Sequence, residues 1–264
     1  MKCVCGTEIE AGKRQCAKCG RWHISREEIE VALQQTINLA DVDASEAARI
    51  VSGPWDVAWG GGIVRDTVTM LAGFPGAGKS TLMLQVAAAV SALEKKTALY
   101  IAKEESAGQI KLRALRLQMP IEAQRMFLIV PHLDKSIGEL LESYDSGIVV
   151  VDSLPALAGT GPTGMQPAYE ILDAIREYAL RKTVPVIVIN HINKEGDFAG
   201  QAAWQHLVDV TLMLETRFRE DDRCVSRLGA VKNRHGASGA FTDFDMTERG
   251  LVLAPPEGIG GNNE

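Results

Sequence analysis

The sequence predicts an α/β fold with a mostly parallel sheet, helices on both faces and a small cysteine-rich segment at the N-terminus. Two patterns predict it. Apolar or β-branched runs alternate with helical segments between residues 67 and 190, which is typical of parallel strands joined by helices. From residue 207 onward the runs are short and follow one another directly, which indicates antiparallel strands that extend the sheet.

The predicted elements follow in chain order. Strands of the alternating part are expected at residues 67–72, 97–102, 126–130, 148–151 and 184–190. The helices between them are expected near residues 80–93, 106–117, 136–143 and 167–181. Later strands are expected at residues 208–214, 224–232 and 239–246. Residues 59–254 are therefore predicted to form one large domain, followed by a frayed tail at 255–264.

The composition excludes several classes of protein. The chain has 264 residues, 46% of them hydrophobic and 23% charged, which argues against collagen-like and disordered chains. No apolar stretch approaches the roughly 18 residues of a membrane span, and the N-terminus lacks an apolar signal region. A cytoplasmic protein without a membrane partner is expected. The net charge of −6 argues against a surface that is basic throughout, but it leaves room for a local polyanion-binding groove or a ring's channel.

The N-terminal cysteines predict a metal site. Cys3, Cys5, Cys16 and Cys19 cluster in a way that scattered disulfides do not, and a reducing compartment is expected. Four thiolates suit zinc, so residues 1–24 are predicted to form a zinc knuckle. The first pair is spaced C-x-C rather than C-x-x-C, and His23 is an alternative ligand. Residues 25–58 are expected to form a helix and a linker.

The run G-F-P-G-A-G-K-S at residues 73–80 fits the phosphate-binding pattern G-x-x-x-x-G-K-S/T, between a predicted strand and a predicted helix. In such a loop the glycines let backbone amides point inward, the lysine supplies a positive charge for the β- and γ-phosphates, and the serine binds magnesium. The residues expected to contact the nucleotide are Gly73, Pro75, Gly76, Ala77, Gly78, Lys79, Ser80 and Thr81.

Acidic residues are expected beside that loop. The apolar run I-V-V-V-D-S ends in Asp152, which is predicted to share the magnesium with Ser80. Glu104 and Glu105 follow the second predicted strand, at the edge where open α/β sheets bind ligands. Both are candidate bases for hydrolysis, and Glu104 is the preferred one. The alternative is that both only supply negative charge to the start of the helix that begins at Ser106.

Two further sites are candidates on position alone. His191 follows the strand predicted at 184–190, where a side chain can sense a γ-phosphate, although a histidine at a strand end is more often simply packed or solvated. Lys232 and Arg234 are two residues apart on a predicted strand, so they are expected on one face. They form either a surface salt-bridge site or a pair of fingers that reach a neighbouring subunit's nucleotide.

These motifs together resemble the bacterial RadA-type (Sms) DNA repair ATPases, a RecA-like family. The matching runs, in chain order, are C-A-K-C-G-R-W at 16–22, W-G-G-G-I-V at 59–64, the phosphate-binding loop, Y-I-A-K-E-E-S at 100–106, Q-I-K-L-R-A-L-R-L at 109–117, H-I-N-K-E-G at 191–196 and V-K-N-R-H-G at 231–236. The resemblance covers about residues 3–252. His235 stands where the family has phenylalanine, and Lys103 stands where it has glycine.

The resemblance implies a RecA-like core in a homo-hexameric ring, with ATP and Mg²⁺ between subunits and single-stranded or branched DNA in the channel. It implies Glu104 as catalytic glutamate, Asp152 as the magnesium carboxylate, and Lys232 and Arg234 as residues acting on the adjacent nucleotide. Residues 157–168 and 193–201 occupy the places of DNA-facing loops, with Lys194 as a phosphate-binding cation. The chain ends where family members continue into a Lon-protease-like domain, so a short form is expected.

A DNA motor of the helicase or branch-migration type, with a recombinase or replication partner, is the function predicted. A DnaB-type replicative helicase shares the core, but that family usually lacks a zinc knuckle. A KaiC-like ATPase or a non-hydrolysing adaptor would not act on DNA. A small-molecule kinase also uses a phosphate-binding loop, but nothing in the sequence identifies a lid or an acceptor site.

Overall fold

The structure is a computed structural model that describes residues 2–3, 5–9, 15–20, 37–42, 48–133, 136–159, 165–192, 204, 206–219 and 223–256. The chain divides into two compact units, residues 1–44 and 45–264. Within the described part, no helix is both long and apolar enough to cross a membrane.

The larger unit is built on a nine-stranded sheet. The first two strands of the unit, β1 (Arg49–Ile50) and β2 (Ile63–Val64), form a separate two-stranded sheet. The sheet contains β3 (Val68–Ala72), β4 (Thr97–Ala102), β5 (Phe127–Val130), β6 (Ser146–Asp152), β7 (Val186–Ile189), β8 (Val210–Phe218), β9 (Cys224–Asn233), β10 (Phe241–Thr247) and β11 (Gly250–Leu253). Its order is β11-β10-β9-β8-β3-β7-β6-β4-β5. Strands β3 to β8 pair in parallel, and β8 to β11 pair antiparallel.

Helices connect the parallel strands. They are α1 (Lys79–Glu94), α2 (Ala107–Arg116), α3 (Ile121–Arg125), α4 (Ile137–Glu142), α5 (Leu154–Ala158) and α6 (Met165–Lys182). Helix α2 begins at a Ser106 cap whose side chain accepts a hydrogen bond from the Gln109 amide, in a capping box. The Ser136 hydroxyl caps α4 in the same way at the Glu139 amide. The serines that the sequence places before these helices therefore begin them.

Two apolar clusters cover the two faces of the sheet. The first joins α1 to inward residues of β4, β6 and β8–β11, including Leu212, Leu228 and Phe244. The second joins α4, α5 and α6 to the other face of the parallel strands and contains no residue of β8–β11 among those described. Strands β3, β4, β6 and β7 are thus almost entirely buried, β5 is half-buried, and β8–β10 include exposed positions.

The arginine–aspartate face is the side of β8–β10 turned away from α1. Arg219 and Arg227 both contact the buried Asp243, and Arg223 contacts Asp245. Arg227 also lies 3.9 Å above the centre of the Phe241 ring. The members of this face are Arg219, Arg223, Arg227, Phe241, Asp243 and Asp245. Among the residues that the structure describes, charged side chains rather than a helix cover this side of the sheet.

The α/β prediction is confirmed: the sheet is large and mostly parallel, with antiparallel strands at its C-terminal end. Strands β1, β2 and β11 and helices α3 and α5 were not predicted. Helix α5 and the start of α6 occupy part of the segment expected to be a loop at 157–168. Within the expected linker, Ile50, Trp55 and Ala58 belong to the apolar core of the larger unit. His23, Lys194, the predicted loop at 193–201 and residues 257–264 lie outside the described residues.

Candidate active site

The phosphate-binding loop joins β3 to α1. Gly78 has φ of 96°, a backbone conformation that residues other than glycine rarely adopt, and α1 begins at the next residue. The buried Lys79 donates from Nζ to the backbone oxygens of Gly73 at 2.7 Å and Phe74 at 2.9 Å. Burial lowers the pKa of Lys79, while the negative charges of Asp152 and Glu104 oppose that shift. A strongly localised positive charge therefore lies inside the loop.

Asp152 is the last residue of β6 and is buried. The fully buried Tyr100 hydroxyl donates to Asp152 Oδ2 at 2.7 Å. Burial raises the pKa of Asp152, hydrogen bonds with Tyr100 and Ser80 oppose that shift, and the charges of Glu104 and Glu105 add to it. A hydroxyl and a carboxylate are oxygen ligands of the kind that Mg²⁺ prefers, so the Ser80–Asp152 pair fits a magnesium ion.

Glu104 and Glu105 have different surroundings. The Glu104 carboxylate accepts a hydrogen bond from the Ser153 hydroxyl and lies 3.1 Å from His191 Nε2. Glu105 instead forms a two-point ion pair with Arg113, with N–O distances of 2.5 and 2.6 Å. Because Arg113 occupies both oxygens of Glu105, Glu104 is the carboxylate better placed to accept a proton.

One cleft of about 400 Å³ brings most of the predicted residues together. It is lined by Pro75, Gly76, Gly78, Lys79, Ser80, Thr81, Glu104, Glu105, Arg113, Arg116 and His191. The loop, both glutamates and the histidine therefore share one space. Sequence reasoning missed Tyr100, Ser153, Arg113 and Arg116. Arg113 and Arg116 are three residues apart on α2, so helical periodicity could have placed them on neighbouring positions of one side.

Lys232 and Arg234 lie at the end of the sheet where the parallel strands begin, opposite the end that carries the phosphate-binding loop. Lys232 in β9 donates to the Val208 backbone oxygen at 2.7 Å, and Arg234 just beyond β9 pairs with Asp209 at 3.0 Å. Asp209 precedes β8, which runs parallel to β3, so this pair lies near the start of β3 and the phosphate-binding loop near its end. Four residue steps along β3 span about 13 Å. The structure therefore does not bring Lys232 and Arg234 to the cleft of their own chain.

The hairpin β1–β2 supports the segment that carries Arg234. Arg49 donates to the Trp59 oxygen at 3.1 Å and the Gly62 oxygen at 3.0 Å, and its guanidinium also contacts the His235 oxygen. A Cβ on Gly60 would lie 3.3 Å from Gly236 Cα. The motifs W-G-G-G-I-V and V-K-N-R-H-G, which are far apart in the sequence, therefore pack against each other.

The smaller unit brings the four cysteines together. Their sulfur atoms all lie within 4.8 Å of one another, with 3.4 Å between Cys3 and Cys19 and 3.6 Å between Cys5 and Cys16. Four thiolates bound to one zinc ion lie about 3.8 Å apart in a tetrahedron, so the cluster fits zinc. Hydrogen bonds with Thr7 and with neighbouring cysteines lower the pKa of Cys5 to about 6, whereas the pKa of Cys3 in the same cluster is raised to about 12, so without a metal one thiolate forms at the expense of its neighbour. The C-x-C spacing thus does not keep Cys5 out of the cluster, and His23 lies outside the described residues.

Comparisons with known proteins agree with this geometry. A family described as "AAA domain" matches residues 34–197. The DNA repair protein RadA of Haemophilus influenzae is 31% identical over 269 residues, covering 94% of this chain and 57% of that protein. RadA of Aquifex aeolicus is 32% identical, covering 95% and 58%, and RadA of Bacillus subtilis is 30% identical, covering 96% and 59%. The chain thus spans somewhat under three fifths of the length of these relatives.

A solved structure has the same fold. The KaiC-like protein of Pyrococcus horikoshii aligns over 79% of this chain and all of that one, with a TM-score of 0.64 and 17% sequence identity. That likeness supports the α/β architecture alone. The family match covers more than half of the chain and includes the phosphate-binding loop, Glu104 and Asp152. The chain therefore belongs to the AAA domain family of ATPases and is a relative of the bacterial DNA repair protein RadA.

Proposed function

We propose that the chain hydrolyses ATP and uses this reaction to move on single-stranded or branched DNA during repair and recombination. One observation supports the proposal of hydrolysis: Lys79 and Ser80 of the loop line the same cleft as Glu104. Asp152 is hydrogen-bonded to Ser80 and to Tyr100. Binding of phosphates, binding of magnesium and proton transfer are thereby available in one place.

In this proposal each side chain has a separate role. Lys79 exchanges the Gly73 and Phe74 oxygens for the β- and γ-phosphates of ATP, and the loop amides bind the same oxygens. Ser80 and Asp152 hold Mg²⁺, which neutralises charge on the phosphates. Glu104 orients the attacking water and accepts its proton, and His191 and Ser153 hold the Glu104 carboxylate in place. Arg113 keeps Glu105 away from that role.

We infer that Lys232 and Arg234 act on the nucleotide of a neighbouring subunit in a homo-hexameric ring. Their distance from the cleft of their own chain supports action between subunits, because a head-to-tail interface apposes opposite edges of successive copies. In other NTPases an arginine supplied in this way raises the hydrolysis rate by roughly 10³–10⁵.

The DNA substrate rests on the relatives that are DNA repair proteins. Lys194 and the segments at 157–168 and 193–201 remain predicted DNA contacts, and a recombinase or replication protein remains the predicted partner, in the cytoplasm. Helicase or branch-migration activity is the specific form proposed. A KaiC-like or adaptor role is the alternative.

The test is ATP hydrolysis with and without single-stranded DNA, using Lys79→Ala as the blank. DNA should stimulate hydrolysis, and the variant should lose about 100-fold or more of it because the phosphates lose their buried cation. Hydrolysis that is unaffected by DNA would instead support the KaiC-like or adaptor role. Loss of DNA stimulation in Lys194→Ala with unchanged basal hydrolysis would support Lys194 as a DNA contact.

We also propose that Cys3, Cys5, Cys16 and Cys19 bind one zinc ion. Purified protein should contain one zinc per chain by atomic spectroscopy, and Cys16→Ser should lose it because three thiolates bind far less tightly. The exposed Cys224 provides the matched control, since Cys224→Ser should keep the metal. Equal zinc content in both variants would contradict this site.

A further inference from the structure

Asp209 uses its backbone and its side chain to bind two segments at once. Toward β3, its amide donates to the Val68 oxygen at 2.9 Å and its Oδ2 accepts from the Val68 amide at 3.0 Å. Toward Arg234, its backbone oxygen accepts from the Arg234 amide at 3.1 Å and its Oδ1 contacts the guanidinium at 3.0 Å. Four hydrogen bonds therefore connect the first residue of β3 to Arg234 through a single aspartate.

The charges around Arg234 need a fixed carboxylate. Lys232 and Arg176 lie close enough that both Arg176 and Arg234 lower the pKa of Lys232, after burial, while Asp209 opposes that shift. Two cations and one carboxylate, Asp209, thus act on Lys232. Without Asp209, the Arg234 side chain would lose its ion-pair partner beside two other cations and would regain the rotamer freedom of an exposed arginine.

Stability alone is a poor account of this pair. The Arg234 side chain is 43% exposed, and exposed ion pairs contribute little to the free energy of folding. The Asp209 side chain is only 14% exposed, and its Oδ2 accepts a hydrogen bond from the Val68 amide. The same guanidinium also donates to the His206 oxygen at 3.3 Å, so the arrangement fixes the direction of an arginine that stays partly exposed.

We propose that Asp209 is a positioning residue for Arg234, which it aims at the neighbouring subunit's nucleotide and ties to β3, the strand that carries its own subunit's phosphate-binding loop. The inference rests on the proposed action of Arg234 between subunits. It goes beyond that action, because it assigns the orientation of the finger to a residue outside the V-K-N-R-H-G motif. It also connects the two edges of one subunit through the five residues of β3.

The first measurement is hydrolysis by Asp209→Asn, which keeps the shape of the side chain and removes its charge. Hydrolysis should fall about 10- to 100-fold, because a misdirected arginine loses its productive geometry. Binding of a fluorescent ADP analogue should stay within about twofold, since the cleft of the same chain is unchanged. Asp145→Asn is the matched control: it removes a carboxylate from the exposed Lys96 pair at the same edge, and it should hydrolyse ATP normally.

Mixed assemblies separate the inference from the proposed function. Lys79→Ala subunits keep the finger, and Asp209→Asn subunits keep the loop, so random 1:1 mixing pairs the two at about a quarter of the interfaces. Hydrolysis should recover in this mixture, as it should when Arg234→Ala replaces Asp209→Asn. Co-purification with a tagged subunit verifies that the variants assemble together.

Each outcome decides one point. Recovery with Arg234→Ala but not with Asp209→Asn would show that Asp209 acts in its own subunit and would overturn the positioning role alone. Recovery with neither variant would overturn action between subunits and the inference with it. Full activity of Asp209→Asn would also overturn the inference. If Asp209→Asn fails to bind the ADP analogue, Asp209→Glu keeps the charge, and its hydrolysis should exceed that of Asp209→Ala at equal ADP binding.

Discussion

Asp152 and Asp243 are two buried carboxylates of one sheet, and their surroundings differ in kind. Asp152 ends a parallel strand beside the phosphate-binding loop, where burial raises its pKa and two glutamates add negative charge. Asp243 lies on the arginine–aspartate face, where hydrogen bonds from Arg227 and Arg219 hold its pKa below the ordinary value although burial opposes them. One carboxylate lacks a cationic partner within hydrogen-bond distance among the described residues, and the other has two.

This difference agrees with the proposed roles of the two carboxylates: Asp152 as a magnesium ligand, and Asp243 as a residue that stabilises the fold. A buried charge is stable only when it is paired or hydrogen-bonded. Asp243 meets that condition in the isolated chain. Among the described residues, Asp152 has hydrogen bonds from hydroxyl groups but no ion pair within hydrogen-bond distance, so an added cation would be stabilising there. The buried charge of Asp152 in the parallel half is therefore unfavourable until a cation such as magnesium binds, whereas the charge of Asp243 in the antiparallel half is already balanced by two arginines.

The largest expected effect is on the rate of ATP hydrolysis, at the cleft beside the phosphate-binding loop. Glu104→Gln should lower hydrolysis by roughly 10²–10⁴-fold, because the attacking water loses its proton acceptor. Glu105→Gln is the matched control, and it should lose much less, since its carboxylate holds Arg113 rather than water. Steady-state hydrolysis at saturating ATP measures both. Equal losses would remove the assignment of the base to Glu104.

The next effect is on stability. Asp243→Asn should lower the free energy of unfolding by about 3 kcal/mol, because it leaves the nearly buried Arg219 without its counter-charge. Chemical denaturation measures this change. Hydrolysis per molecule able to bind an ADP analogue should stay within about twofold, since Asp243 lies outside the cleft. A variant that is fully stable would show that the arginine–aspartate face does not need its buried acid.

Asp152→Asn should have the opposite profile. It should lower magnesium-dependent hydrolysis, yet the melting temperature measured without nucleotide should stay equal or rise by a few degrees, for roughly 1 kcal/mol. The reason is the raised pKa: the folded state disfavours the ionised carboxylate, so a neutral amide relieves that penalty at neutral pH. A clear fall in melting temperature would contradict the view of Asp152 as an unpaired charge.

The smallest effect is a dependence on pH. Because the folded-state pKa of Asp243 lies below its ordinary value of 3.8, its contribution to stability is complete above that value and is lost as pH falls through the lowered pKa. The stability difference between the natural chain and Asp243→Asn should therefore be constant near neutral pH and shrink in acid. Denaturation series at several pH values measure it. A constant difference down to the lowest pH would mean that charge does not stabilise the face.

Local patterns in the sequence predicted the parallel half well. The loop at 73–80, the strand before it and the helix after it depend on adjacent residues, and Asp152 follows from the apolar run that it ends. The serine caps of α2 and α4 are also local. These features needed no knowledge of the tertiary structure.

Contacts between distant residues could not be predicted in this way. Tyr100 reaches Asp152 across two neighbouring strands, and Asp209 binds Val68 across 141 positions of the chain. The segment at 48–58 looked like a linker because its apolar residues have no clear period, yet Trp55 packs in the core. Helix α5 is too short for a helical period to show in the sequence.

The position of β3 in the strand order has a consequence for hydrogen exchange. It is the middle strand of nine, with β7 on one side and β8 on the other, and all five of its residues are buried. We therefore expect its amides to be among the last to exchange with solvent, and those of the edge strands β5 and β11 to exchange earlier through local fraying. The phosphate-binding loop and Asp209, the proposed positioning residue of Arg234, are thus joined to opposite ends of a strand that we expect to exchange slowly.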